Sequence, residues 1–269
     1  MNKRVLVRLV PIAIAAVFVW WQFNSAETFT NEAGREAKVA LNPEEESALG
    51  LQSYRQVLQE SDVLRGGSEH DTVSRVAERL AKATGESGKN FEWAVSVVRS
   101  PQINAFCLPG GKIVVFTGIL PVAQSDAGLA TVMGHEMAHA TLRHGSERLL
   151  KQKATQTLLT GVQFSIGDMD YNQQRALMGV LGAGAQYGVL NPFSRDHESE
   201  ADKVGLWYMA RAGYDPREAI TFWQRMAEGA GGNAPPEFLS THPGHETRIQ
   251  QLKALMPQAM TIYQGKLEK

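Results

Sequence analysis

The sequence predicts a mostly helical α+β domain with a small β-sheet and hairpin, and three observations support this fold class. Apolar residues recur at helical spacing over long stretches, while runs rich in β-branched and aromatic residues lie within residues 91–117. The composition, 43% hydrophobic and 20% charged, is that of an ordinary globular domain. A chain of 269 residues is long enough to bury one sizeable core.

The N-terminal residues 1–26 predict a membrane-anchor helix. Three basic residues among the first eight precede an uncharged run, residues 9–26, which would be roughly 27 Å long as a helix. Trp20 and Trp21 near its far end resemble an interfacial aromatic belt. We favour an uncleaved anchor over a signal segment, because these bulky residues are unusual just before a cleavage site.

The remainder divides into a linker and one domain. Residues 27–42 are polar and small, which predicts a linker, and residues 43–269 form the predicted domain. The formal net charge of -1 gives no basic excess, so no nucleic-acid partner is expected. Cys107 is the only cysteine, which rules out an intrachain disulfide.

The strongest chemical signal is the pattern His-Glu-x-x-His, formed by His135, Glu136 and His139 in a predicted helix. Residues four apart lie on one helix face, so the two imidazoles can point at one ion. Such a pair suits zinc, at about 2.0–2.1 Å per bond. Zinc lowers the pKa of a bound water toward about 7, and Glu136 can take its proton. This pattern indicates peptide-bond hydrolysis with one zinc ion per chain.

A catalytic zinc ion needs a third protein ligand, and the acidic stretch near residue 200 is the better source. Glu198 and Asp202 are four apart and share a helix face. Glu198 can therefore bind the metal while Asp202 receives the free N–H of a ligand histidine. Glu200 points elsewhere on this helix, and it or His197 is the next candidate if Glu198 is not the ligand.

Two other segments near the motif receive different predictions. His144 lacks the spacing that a third histidine ligand would need, and it is predicted to be a surface histidine at a helix end. Residues 176–194 are uncharged and rich in glycine, which predicts close helix packing or a flap over the site rather than a membrane span.

These motifs together resemble the M48 metallopeptidases, and within them the Oma1-like branch of membrane-anchored envelope and mitochondrial proteases. The resemblance implies a zincin fold, Glu198 as the third zinc ligand and endopeptidase action on misfolded or regulatory membrane-associated proteins. Cys107 departs from the family, which often has alanine there. The matching segments are residues 104–111, 115–118, 134–139, 198–202 and 240–243.

The resemblance implies further roles for a strand and a loop. Asn104, Ala105 and Phe106 resemble the edge strand along which an extended substrate binds through backbone hydrogen bonds, an ordinary sheet strand being the alternative. His242 can approach the zinc ion and either stabilise the oxyanion or occupy the open position in a resting state, a structural loop histidine being the alternative. Arg248, six residues later, can brace that loop.

We therefore predict a zinc-dependent endopeptidase that acts in protein quality control at a bacterial inner membrane, with its catalytic domain in the periplasm. A periplasmic form released by cleavage and a mitochondrial inner-membrane protein are the alternatives. The expected partners are unfolded or membrane-associated protein substrates and, through the N-terminal segment, the membrane itself. A different function class is a chaperone-like holdase or a self-inhibited zinc-binding module with little proteolysis. The intact Glu136 favours the enzyme, because a purely structural zinc needs no base.

Overall fold

A computed structural model describes residues 3–167, 169–185, 193–229, 237–242 and 247–267, and every structural statement below concerns these residues. Helices dominate, with six short strands between them. The helices are α1 (Lys3–Ser25), α2 (Pro43–Gln59), α3 (Ser68–Ala83), α4 (Leu120–Ala123), α5 (Asp126–Thr141), α6 (His144–Ser165), α7 (Tyr171–Ala185), α8 (Arg195–Arg211), α9 (Glu218–Gly229), α10 (Glu237–Thr241) and α11 (Arg248–Leu267). The strands are β1 (Glu27–Thr30), β2 (Glu36–Val39), β3 (Val63–Leu64), β4 (Ala94–Val98), β5 (Ala105–Leu108) and β6 (Lys112–Phe116).

The chain forms two compact units, each described here by itself. The first comprises Met1–Thr30, Glu36–Asn42 and Ser146–Pro192; the second comprises Asn31–Arg35, Pro43–Gly145 and Phe193–Lys269. The second unit contains all the residues that we predicted for the site. It also contains five residues of the predicted linker, Asn31–Arg35, whereas we predicted a domain that begins at residue 43.

The first unit contains α1, the antiparallel pair β1–β2, most of α6, and α7. The pair β1–β2 lies in the segment that we predicted to be a linker. Gly161 of α6 packs closely on α1, because an added Cβ atom would lie 2.6 Å from the Cβ of Ala15. Among the described residues, no helix combines the length and the apolar character needed to cross a membrane. The N-terminal anchor stays a prediction.

The second unit contains a four-stranded sheet in the order β3-β4-β6-β5. The strands β4 and β6 are parallel, and the other two pairs are antiparallel. The last three strands lie within residues 91–117, where the sequence predicted the small sheet and hairpin. The hairpin β5–β6 places β5 at one edge of the sheet, next to α5.

The core of the second unit is built on the crossing of α5 and α8. The hydroxyl of Ser125 caps α5 by accepting from the backbone N–H of Gly128, and every residue from Gly128 to Thr141 is buried. At the crossing the two backbones nearly touch: a Cβ atom on Gly205 of α8 would lie 2.8 Å from the backbone nitrogen of His135. This close approach, which only glycine permits, brings the acidic start of α8 beside the histidines of α5.

Candidate metal centre

The two motif histidines converge as their spacing predicts. The Nε2 atoms of His135 and His139 lie 3.1 Å apart, and both side chains are buried. Two nitrogen lone pairs at this separation repel unless a proton or a metal ion lies between them. The pair therefore has the arrangement of two ligands on one ion.

Glu198 of α8 completes a three-residue set. Its Oε2 lies 3.5 Å from Nε2 of His135, and its Oε1 lies 3.5 Å from Nε2 of His139. The side chain is 0% exposed, which is costly for a carboxylate unless cations or N–H donors surround it. The sequence prediction that Glu198 shares a site with the two histidines agrees with these distances.

His242 is the fourth member of the cluster. Its backbone nitrogen continues the turn of α10 by donating to the carbonyl of Phe238. Its Nδ1 lies 3.0 Å from Oε1 of Glu198 and 3.4 Å from Nε2 of His135. Ligand atoms of these two histidines, His139 and Glu198 all lie within 4.8 Å of one another, so the four residues form a possible metal site.

Asp202 and Arg248 support this cluster from the side of His135. Asp202 Oδ1 lies 2.9 Å from Nδ1 of His135, the ring nitrogen that faces away from the other ligands. Arg248 donates from Nε to Asp202 at 2.7 Å and from Nη2 to Glu198 at 2.6 Å. Its guanidinium carbon also lies 4.0 Å above the ring of Trp223. Arg248 thus bridges the two carboxylates; the prediction that it also braces the His242 loop falls on residues 243–246, which lie outside the described residues.

His144 and Glu200 lie on the opposite side, beside His139, and here one prediction is wrong. His144 is 0% exposed rather than a surface residue, and its Nδ1 lies 2.9 Å from Nδ1 of His139. Glu200 points away from the four-residue cluster, as predicted, and its Oε2 lies 3.0 Å from Nε2 of His144. The position of His144 depends on Arg143, whose φ of 58° turns the chain sharply after α5. The amino-acid sequence around Arg143 does not indicate this backbone conformation.

Glu136 lies next to the cluster and is buried. Its Oε1 lies 3.5 Å from Nε2 of His242 and has no hydrogen-bond partner within the described part of the chain. Burial raises the pKa of this carboxyl above its usual range, although His242, His135 and a backbone hydrogen bond from Cys107 oppose the shift. A buried carboxylate with one free oxygen and a raised pKa is suited to accept and return a proton.

Opposing effects set the charges of the other members. Burial would raise the pKa of Glu198, but hydrogen bonds from three histidines outweigh it and hold that pKa well below its usual range. Burial lowers the pKa of His139 well below its usual value. Burial also disfavours the charged form of His135, but hydrogen bonds with Asp202 and Glu198 outweigh burial and raise its pKa to about 9. The site therefore offers a carboxylate and a neutral imidazole, and a metal ion would replace the proton on His135.

The predicted substrate strand forms the edge of the sheet nearest the cluster. The carbonyl of Asn104 accepts from the N–H of Phe116 on β6 at 3.1 Å. Because such bonds alternate along an antiparallel pair, the backbone groups of Ala105 and Cys107 face the outer edge of β5. The backbone hydrogen bond from Cys107 to Glu136 fits this orientation. The edge is covered, since Ala105 is only 1% exposed.

Comparisons with known proteins agree with these features. Residues 68–256 match Peptidase family M48. The chain is 37% identical over 219 residues to the mitochondrial metalloendopeptidase OMA1 of Schizosaccharomyces pombe, covering 80% of this chain and 62% of that protein. It is 42% identical over 193 residues to the protein of the same name from Arabidopsis thaliana, covering 71% of this chain and 37% of the relative. The beta-barrel assembly-enhancing protease of Escherichia coli is 27% identical over 230 residues, covering 84% of this chain and 46% of the relative.

The relatives correct one prediction. We expected a bacterial inner-membrane protein with its catalytic domain in the periplasm, and this is wrong by these comparisons. The relatives with the higher identities carry mitochondrial names, whereas the bacterial ones share only 27–28%. The chain spans less than two thirds of the length of each of these relatives, so their full-length properties do not transfer directly.

Proposed function

The chain belongs to peptidase family M48, and on that premise we propose that it is a zinc-dependent endopeptidase of the Oma1-like branch. The observation that carries the proposal is the convergence of His135, His139 and Glu198 on one point. Two ligand atoms at about 2.0–2.1 Å from a tetrahedral zinc ion lie about 3.3–3.4 Å apart. The two Nε2 atoms are 3.1 Å apart, and each carboxylate oxygen of Glu198 lies 3.5 Å from one of these nitrogens, distances close to that value, which supports one zinc ion per chain.

In the mechanism we propose, Glu136 is the general base and then the general acid. Zinc, when bound, would lower the pKa of the attacking water and polarise the scissile carbonyl. The free Oε1 of Glu136 takes a proton from that water, and the protonated carboxyl then delivers it to the leaving amine. Burial, which raises the pKa of Glu136, makes the second transfer possible near neutral pH. Asp202 keeps the ring of His135 oriented through its Nδ1.

We assign His242 to the fourth position around the metal in a resting state. Its Nδ1 has separations of 3.0 and 3.4 Å from the atoms of Glu198 and His135, as a fourth ligand would. The ring is stacked on Phe238, with centroids 4.4 Å apart. These distances favour the resting role over oxyanion stabilisation, and the site would open when this imidazole leaves.

The substrate we propose is an extended segment of an unfolded or membrane-associated protein, paired along β5. The outward backbone groups of Ala105 and the carbonyl of Cys107, whose N–H donates to Glu136, would form the hydrogen bonds once this covered edge is freed, within the segment that begins with Asn104, Ala105 and Phe106. Backbone pairing of this kind tolerates many sequences, as quality control requires. By the names of its relatives, the compartment that we propose is mitochondrial. Attachment to a membrane through α1 is also a proposal, supported by the exposed Trp20 and Trp21.

The alternative is a self-inhibited or chaperone-like zinc protein that rarely cuts. The burial of the site and the position of His242 favour this reading for the resting protein. It differs from the protease in one respect that can be measured, because protection of a substrate by a holdase does not depend on Glu136.

The test compares the full chain with the Glu136→Gln and His242→Ala variants, using casein as the unfolded substrate. We expect Glu136→Gln to keep one zinc ion per chain and to lose cleavage by about 10²–10⁴-fold, since the amide cannot carry the proton. We expect His242→Ala to raise the cleavage rate and to weaken zinc binding. Zinc content and release of casein fragments are measured with and without a chelator.

The matched control is Glu78→Gln, because Glu78 is an exposed carboxylate on α3 that pairs with Lys82. It should leave zinc content and cleavage unchanged. Undiminished cleavage by Glu136→Gln would remove that residue as the base. Zinc without cleavage in all variants would favour the holdase, and lost cleavage with unchanged zinc binding in His242→Ala would favour the oxyanion role.

A further inference from the structure

A second buried polar cluster lies behind His139, on the side away from the proposed metal ligand atoms. It begins at His144, whose Nδ1 lies 2.9 Å from Nδ1 of His139, and continues to Glu200 at 3.0 Å from the other ring nitrogen. Arg35 and Asn31 then hold Glu200: Arg35 donates from Nε and Nη2, and Asn31 donates from Nδ2 at 2.9 Å. Two of these residues, Asn31 and Arg35, precede the part of the chain that matches the family, residues 68–256.

The hydrogen bonds of this cluster can run in only one direction if His139 binds a metal through Nε2. Its Nδ1 must then carry the ring hydrogen and donate it. His144 accepts at Nδ1, which fixes its neutral tautomer with the hydrogen on Nε2. That hydrogen is donated to the carboxylate of Glu200, whose charge is balanced by Arg35. Every donor in the series meets an acceptor.

The backbone conformation before His144 is independent evidence that the position of this side chain is fixed by the fold. Arg143, just before it, has a φ of 58°, in the left-handed region that residues other than glycine rarely adopt. The guanidinium of Arg143 is held by Glu46 at 2.9 Å, with both side chains nearly buried. Strain of this kind is kept where the surrounding structure over-determines a position, often at a functional site. Here it turns the chain so that the imidazole of His144 meets His139.

We propose that His144 is a positioning residue for the metal centre, setting the tautomer and ring orientation of His139, and that Glu200 does the same for His144. His144 and Glu200 would thus orient the ring of His139 as Asp202 orients the ring of His135. The proposal rests on the metal site proposed above. Its test therefore measures metal binding rather than proteolysis, so that the two can fail separately.

The experiment compares His144→Leu with His144→Asn in the full chain. Asparagine places an amide oxygen near the position of Nδ1 and can accept from His139, whereas leucine has a similar shape and no acceptor. Zinc affinity is measured by competition with a chromophoric chelator, and Co²⁺ loaded into the site reports ligand geometry through its visible absorption. We expect His144→Leu to weaken zinc binding about 10–100-fold and to shift the Co²⁺ spectrum. His144→Asn should keep most of the zinc affinity and most of the original spectrum. Glu200→Gln should give values between those of the two His144 variants.

The control is His70→Leu, because His70 is a partly exposed histidine on α3 that contacts the neighbouring Asp71. It should bind zinc as the unsubstituted chain does. The proposal is overturned if leucine and asparagine leave zinc affinity and the Co²⁺ spectrum unchanged. It is also overturned if both substitutions weaken zinc binding equally while equally destabilising the metal-free protein, since that result describes a structural role alone. Absence of zinc binding in the unsubstituted chain would instead remove the proposed function.

Discussion

The two ligand histidines of the candidate centre are supported by different chemistry. We call Asp202 and Arg248 the carboxylate flank, which meets Nδ1 of His135 at 2.9 Å. We call His144 and Glu200 the imidazole flank, whose first nitrogen meets Nδ1 of His139 at the same distance. His135 thus contacts the carboxylate of Asp202 directly, whereas His139 is connected to the carboxylate of Glu200 through the neutral ring of His144. Hydrogen bonds with Asp202 and Glu198 raise the pKa of His135 despite its burial, whereas burial lowers the pKa of His139, whose Nδ1 meets an imidazole instead of a carboxylate.

The difference also shows which parts of a site a sequence can reveal. The carboxylate flank was predicted at Asp202, because Glu198 and Asp202 are four apart on one helix and helical spacing alone fixes their common face. The imidazole flank was missed, because it depends on the backbone turn at Arg143 and on a contact with Arg35 that is 165 residues distant from Glu200. No local pattern encodes either feature.

The fold shows the same division. The buried helix that carries the motif and the strands β4, β5 and β6 were predicted mainly from runs of apolar, β-branched and aromatic residues, which indicate the segments that are buried. The pair β1–β2 was not, since each strand has only four residues, too few to establish a period, although Ala37 and Val39 of β2 alternate with polar residues and are buried. The placement of Asn31–Arg35 in the unit with the site follows from polar tertiary contacts. Hydrophobic patterning cannot predict contacts of that kind.

The largest expected effect comes from removing the cation of the carboxylate flank. Arg248→Met leaves the buried carboxylates of Glu198 and Asp202 close together without their shared guanidinium. We expect the metal-free protein to lose about 3–5 kcal/mol of its free energy of unfolding, and the zinc-bound protein to lose less because the ion supplies positive charge. Urea unfolding with a chelator and with zinc measures both.

Arg35→Met is the matched substitution on the imidazole flank. Glu200 is 13% exposed and keeps its contacts with His144 and Asn31, so the loss should be clearly smaller. Equal losses from the two arginine substitutions would mean that the flanks are equally dependent on their cations, and the contrast between them would fail.

The next largest effect is expected at the crossing of α5 and α8, which positions the carboxylate flank beside His135. Gly205→Ala would place a Cβ atom 2.8 Å from the backbone nitrogen of His135, a contact that only a shift of α8 from α5 can relieve. We expect a loss of about 1–3 kcal/mol in the free energy of unfolding, with weaker zinc binding because Glu198 and Asp202 move with α8. Thermal unfolding and chelator competition measure the two effects.

Gly179→Ala on α7 is the control, because nothing lies within 4 Å of an added Cβ atom there. Inside a helix this change should be neutral or stabilising, by up to about 1 kcal/mol. If Gly205→Ala behaved in the same way, the close crossing would not be what sets the distance between the carboxylate flank and His135.

The smallest effect is expected at the turn before His144 in the imidazole flank, where Arg143→Gly is compared with Arg143→Val. Both remove the ion pair with Glu46, but only glycine can hold a φ of 58° without strain. We expect valine to be less stable than glycine by about 1–2 kcal/mol, the cost of the left-handed conformation for a residue with a Cβ atom. Zinc affinity should stay close to that of the unsubstituted chain with glycine and fall with valine, because only the second change moves His144 away from His139. Equal zinc affinity in the two variants would show that His144 reaches His139 without this turn, and the imidazole flank would then owe its position to Glu200 alone.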